Sequence, residues 1–206
     1  TSLYIELIDI YVRGREYDKA LLTLEDIEKR GGVNEATALT RYNIMVNQGK
    51  MESAIQMIEE VEKSSPSPRI SSLLGDYYAS VKKDTLAMQY YSAALALEPG
   101  YIPAIFGLAE SYRIRGQYDL YFQHMFPFMA NSDVNPGMKV EYMKEILANQ
   151  KFVQTFYPQI DTLMQNLYTA HPEDSLVAYN HAVFLVQSAR PEKGLDILKD
   201  NIKRYP

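Results

Sequence analysis

An all-α chain, wound as a right-handed superhelix of helical hairpins, is the fold this sequence predicts, and three observations predict it. Alanines open amphipathic stretches at Ala20, Ala54 and Ala87, spaced by 34 and then 33 residues. Recurrence at that spacing marks a stacked supersecondary unit, because one hairpin cannot bury its apolar face alone and needs its neighbours to cover it. Glycine-centred turns at Arg13-Gly14-Arg15, Gln48-Gly49-Lys50 and Arg115-Gly116-Gln117 end first helices just before the apolar period restarts. Pro66, Pro99, Pro172 and Pro206 lack the backbone donor that would continue a helix, so they close second helices.

The period divides residues 1–206 into a single array of six units. Residues 1–34 place Tyr4, Leu7, Tyr11, Ala20, Leu24 and Ile27 at packing positions, and residues 35–67 follow with Tyr42, Ala54, Ile58 and Pro66. Residues 68–101 form the clearest unit. There Leu74-Gly75, Tyr78, Ala87, Tyr91, Ala94 and Pro99 combine small side chains, which let helix axes approach, with large ones that fill the groove between them. Residues 102–135 supply Ile105, Leu108, Ala109 and Tyr112 for a first helix, but their second helix is degenerate. Tyr121 stands where alanine is expected, Pro127 is expected to interrupt the helix, and Asn131 to Gly137 reads as a loop of turn formers. Residues 136–174 make an irregular unit: helical periodicity runs from Met138 to Asn149 and from about Pro158 to Ala170, around an aromatic insert at Lys151 to Tyr157. Residues 175–206 form the last repeat on Ala178, Ala182, Leu185, Leu198 and the closing Pro206.

On these residues the third unit resembles a tetratricopeptide repeat, departing from that family's pattern at the fourth position, where Ser71 replaces a bulky side chain. The resemblance extends over nearly the whole chain. The fifth unit resembles atypical units of long bacterial arrays, and the chain is read as a fragment of a longer bacterial protein of this type. The resemblance implies a non-catalytic scaffold that binds a peptide or protein in a concave groove lined by first helices. In that family, positions two, five, nine, twelve and thirteen of each unit face the ligand, which here selects Ile5, Asp9 and Arg13, then Asn43 and Asn47, then Arg69 and Asp76, then Phe106, Glu110 and Arg113. Asn43, Arg69, Asp76, Phe106, Glu110 and Arg113 form the candidate partner-binding set. Their mixed charge, with apolar Ile5 and Phe106 as anchors, suits a peptide or protein helix better than a polyanion. The family's clamp for a terminal carboxylate is not met, because Leu39 stands four residues before Asn43 where lysine is needed.

Composition narrows the partner classes. Apolar residues make up 47% and charged residues 23%, enough for a packed core. The net charge of -5, with no run of more than two basic residues, argues against nucleic acid, which requires clustered cations. No apolar run approaches the roughly 20 residues of a membrane helix. The absence of cysteine excludes disulfides and thiolate metal sites and leaves the compartment open. Two further readings stand beside the scaffold: a targeting or regulatory repeat region of a larger enzyme, and self-association through exposed array ends.

Catalysis finds little support. The three histidines, His124, His171 and His181, have no metal-ligand spacing, and no nucleophile elbow, phosphate-binding glycine loop or zinc-protease helix is present. Glu25, Asp26, Glu28, Glu59, Glu60 and Glu62 are expected on solvated outer faces of second helices. Asp161 and Glu145 are the remaining imaginable acid–base pair, and the tyrosines fall mostly at packing positions. No catalytic, cofactor or metal site is expected.

Overall fold

The computed structural model describes residues 2–205, the side chain of Ser2 excepted; Pro206, expected to close the last helix, lies outside them. Thirteen helices and no strand occur among the described residues. The chain divides into two compact units, the first ending at Ser111 and the second beginning at Tyr112. In the first unit α1 (Ser2–Arg13) pairs with α2 (Tyr17–Gly31), α3 (Glu35–Asn47) with α4 (Met51–Ser64), and α5 (Pro68–Ser80) with α6 (Asp84–Leu97). The boundary falls inside α7 (Ile102–Ile114). The second unit continues with α8 (Tyr118–Ala130), α9 (Pro136–Ala148), α10 (Gln150–Thr155), α11 (Tyr157–Ala170), α12 (Ser175–Gln187) and α13 (Pro191–Arg204).

First and second helices begin differently. Asn34 caps α3 in a reciprocal box with Thr37, and Ser67, Asn135 and Asp174 cap α5, α9 and α12 through their side chains. Second helices α2, α4, α6, α8 and α13 start without a side-chain cap. Their entry is set by a shared turn. The backbone N–H of Glu16, Lys50, Lys83, Gln117 and Arg190 each donates to a carbonyl of the preceding first helix: Tyr11, Met45, Tyr78, Tyr112 and Leu185 in turn. This is the closing bond of a left-handed helix terminus, and the residue just before each donor has positive φ: Arg15 at 59°, Gly49 at 78°, Lys82 at 60°, Gly116 at 71° and Ala189 at 57°. Gly49 and Gly116 therefore play the part expected of them. Gly14 does not, because the left-handed position falls one residue later, on Arg15.

Ala20, Ala54 and Ala87 are fully buried, as are Ala94 and Leu74, so the small-residue period marks the helix contacts of the first unit. Tyr91 shows how tight these contacts are. Its ring lies between two glycine backbones, where a Cβ added to Gly75 or Gly107 would come within 2.6 or 2.4 Å of it. At the first two junctions carboxylates of a second helix reach the next first helix. Glu28 pairs with Arg41 at 2.5 Å, Glu62 accepts from the Ser71 hydroxyl at 2.5 Å, and Glu59 accepts from the Tyr78 hydroxyl. The expectation that Glu28, Glu59 and Glu62 are merely solvated is thus corrected, because α3 and α5 present donors directly opposite them. Asp26 and Glu60 are exposed, and Glu25 is half-buried.

The second unit corrects the sequence reading in three places. α8 runs through Pro127 to Ala130 instead of breaking there. Phe128 and Met129 are buried and hold the last turn, and the Lys139 ammonium donates to the carbonyls of Met129 (3.0 Å) and Asn131 (2.5 Å) at the helix end. Second, only residues 131–135 are loop, because Asn135 caps α9 and Pro136 occupies its first turn. Third, the aromatic insert is helical. Most of it forms α10, capped by Asn149; Phe152 of α10 and Phe156 at the junction with α11 enter a cluster with Tyr118 and Phe122 of α8. Tyr121, where alanine was expected, is fully buried, and its hydroxyl lies 2.7 Å from that of Tyr142 on α9. α8 also packs on α11, where Asn166 donates to the Phe126 carbonyl at 3.2 Å.

Candidate functional site

The first helices of the first unit carry most of the candidate residues, and the turns fix their register. Asp9, Asn43, Asp76 and Glu110 recur once per unit, on α1, α3, α5 and α7 respectively. Asp9 and Asn43 are exposed, and the Asn43 carbonyl accepts from the Asn47 side-chain amide at 2.8 Å, which ties Asn47 to its own helix. Arg69 is exposed and lies 4.0 Å from Glu35, a loose surface pair that leaves the guanidinium accessible. Ile5 is half exposed, Arg13 is exposed, and Phe106 and Glu110 are half-buried on α7. Arg113 stands on the last turn of α7 and belongs to the second unit.

Asp76 has the most distinctive surroundings. Its carboxylate accepts a hydrogen bond from the buried Tyr91 hydroxyl at 2.7 Å. Asp76 is exposed at the helix surface, but partial desolvation of its carboxyl raises its pKa above the ordinary value, and the Tyr91 bond partly offsets this. Burial and the same bond push the Tyr91 phenol upward, so Tyr91 remains a neutral donor. Among the described residues Asp76 forms no ion pair, and the Tyr91 hydroxyl is the hydrogen-bond donor to its carboxylate. Tyr42 and Tyr101 are half-buried nearby and feel the Asp76 charge; burial raises both phenols.

Ser72 escaped the sequence reading. It occupies position five of its unit, one turn before Asp76 and one after Arg69, and its buried hydroxyl has no hydrogen-bond partner. The repeat frame identified that position, but a serine among larger side chains gave no chemical signal.

The groups tested for chemistry are committed elsewhere. The His124 ring is bonded to the Leu120 carbonyl, the His171 ring contacts the Lys139 ammonium, and His181 is buried beside the Tyr168 ring. Asp161 accepts two bonds from Arg190, at 2.7 and 3.1 Å, while Glu145 is exposed. Among the described residues no group of three His, Asp or Glu side chains is placed to hold a metal ion, and no helix is long and apolar enough to cross a membrane.

Known structures share the fold. The chain is similar over its full length to the crystal structure of PilW, a widely conserved type IV pilus biogenesis factor, with 19% identity, 94% of that chain covered and a TM-score of 0.57. It is also similar over its full length to a tetratricopeptide repeat protein from Parabacteroides merdae, with 14% identity, 80% of that chain covered and a TM-score of 0.53. No family model and no curated protein matches the sequence. At these identities the likeness establishes the fold: an all-α chain of tetratricopeptide-type hairpins.

Proposed function

We propose that the chain is a non-catalytic interaction scaffold that receives a peptide or protein partner along the first helices of its first unit. The observation that carries this reading is Asp76. A carboxylate supported from behind by a buried tyrosine and flanked by an accessible arginine is a polar pair suited to recognition. Asp9 and Asn43 continue the same register on α1 and α3, giving the partner polar contacts one unit apart. The mixture of charges suits a protein surface, and nothing in it gathers the cations that a polyanion needs.

A photo-crosslinking amino acid at Asn43 tests the assignment against the same probe at Gln89, an exposed residue of α6. In native cells the Asn43 probe is expected to capture a discrete protein band, and the Gln89 probe is not. The captured protein should bind the Arg69→Glu, Asn43→Arg variant at least about tenfold more weakly at unchanged thermal stability, as the loss of one interface hot spot requires. Equal capture from Gln89, or full binding by the variant, would remove the first-helix face from consideration.

A further inference from the structure

The aromatic insert of the second unit builds a pocket that the first-helix reading leaves unused. α10 divides its side chains between two faces. Phe152, with Phe156 just past the end of the helix, is fixed in the aromatic cluster against α8. Gln150, Val153 and Gln154 lie on the other face, and with Tyr157 at the start of α11, Leu147 of α9 and Phe184, Gln187 and Ser188 at the end of α12 they line a half-open pocket of about 450 Å³. That volume lies within the range of small-ligand and peptide side-chain pockets.

The pocket has a rigid floor and an adaptable rim. Phe184 is buried and stacks on Tyr157 with ring centroids 6.0 Å apart. Arg190 locks this pair: it donates to the Tyr157 hydroxyl at 2.9 Å, lies over both rings, and is itself neutralised by its two bonds to Asp161. The rim carries Gln150, Gln154 and Gln187, all exposed. No charged side chain lines the pocket.

We propose that this pocket binds an extended, uncharged peptide segment by one aliphatic side chain. The aliphatic group rests on Phe184, Tyr157, Val153 and Leu147. The glutamine carboxamides, each both donor and acceptor, bond the peptide groups on either side. An extended segment is required because a helix has already used its backbone donors and acceptors internally. A charged side chain is rejected, since it would lose hydration without meeting an opposite charge; the Arg190 guanidinium is already engaged by Asp161.

The test uses three blocked peptides, acetyl-Gly-Ser-Xaa-Ser-Gly-amide with Xaa as Leu, Lys or Asp, titrated into the whole chain and followed by NMR. The leucine peptide is expected to shift the Val153 and Leu147 methyl signals and the Gln154 and Gln187 side-chain amides saturably, at least about fivefold more tightly than the lysine or aspartate peptide. Gln154→Glu with Gln187→Glu, both on exposed positions, should weaken the leucine peptide at least about threefold with the amide spectrum otherwise preserved. Equal response to all three peptides, no saturation, or unchanged binding by the double variant would overturn the proposal. Because the reporting signals all lie in the second unit, the outcome is independent of any partner on the first-helix face.

Discussion

Lys139 supplies the sharpest stability prediction. Its side chain is fully buried, and its ammonium is bonded to two carbonyls and to the His171 ring, with no carboxylate to balance its charge. Burial pushes its pKa down from 10.5 to about 8. Between those values the unfolded chain holds a proton that the folded chain has released. The burial penalty is therefore fully present below pH 8 and is relieved as pH rises towards 10.5. At about 1.4 kcal/mol per pH unit, the whole shift is worth about 3 kcal/mol, of which about 2 kcal/mol falls between pH 7.5 and 9.5. Tyr78 and Tyr91 have raised pKa values and act in the opposite direction, since the unfolded phenols ionise first; this is why the window stops at 9.5, below the ordinary tyrosine pKa. Urea unfolding of the wild type and of Lys139→Met at pH 7.5 and 9.5, followed by circular dichroism, reads the effect. The wild type is expected to gain about 1–2 kcal/mol on the variant as pH rises. Parallel pH dependence in the two proteins would refute the account of Lys139 as a desolvated cation.

Three further outcomes follow from the same structure. His171 and His181 both have pKa values lowered chiefly by burial, so their stabilising contribution is present above pH 6.5 and lost as pH falls below it; the urea midpoint should drop from pH 7.0 to 5.5 by less in a His171→Gln, His181→Leu variant than in the wild type. Gly107→Ala should lower stability by about 1–3 kcal/mol despite its better helix propensity, because the new methyl meets the enclosed Tyr91 ring; a rise in melting temperature would contradict that packing. Lys82→Gly and Ala189→Gly should each stabilise the chain by about 0.5–1 kcal/mol, the left-handed strain relieved less the added chain entropy, as measured by chemical denaturation.

The legible part of the fold is what repeats. Ala20, Ala54 and Ala87 recur because three junctions impose the same steric limit, and a limit imposed three times leaves a period. Pro127 misled for the opposite reason: its effect depends on Phe128, Met129 and a lysine ten residues further on, none of which a local rule for proline considers. The insert was visible as aromatic residues out of register, but its helical state depends on side chains of α8, a tertiary contribution that spacing does not encode. The repeat frame assigned Asn43 and Asp76 to equivalent positions of two first helices, and they stand so on α3 and α5; their part in binding is the proposal made above. It gave no notice of Ser72, or of the Tyr91 bond, which joins positions fifteen residues apart through the hairpin. Glu28, Glu59 and Glu62 were misjudged because charge pattern on one helix says nothing about the donors facing it.

α10 is six residues long, too short to persist as a helix on its own, since nucleation in water outweighs so few internal bonds. Phe152, with Phe156 just beyond it, ties α10 to α8, and α9 and α11 also contact it; so short an element can open locally at less cost than unfolding the unit. One wall of the 450 Å³ pocket consists of that helix, and the pocket exists only while α10 is docked. Occupancy and docking are then thermodynamically linked. A molecule that fills the pocket draws the helix down, and a change in the aromatic cluster that loosens the helix lowers affinity by the fraction of time the wall is missing. Phe152 and Phe156, which do not line the pocket, therefore act on whatever binds there through the wall they hold in place.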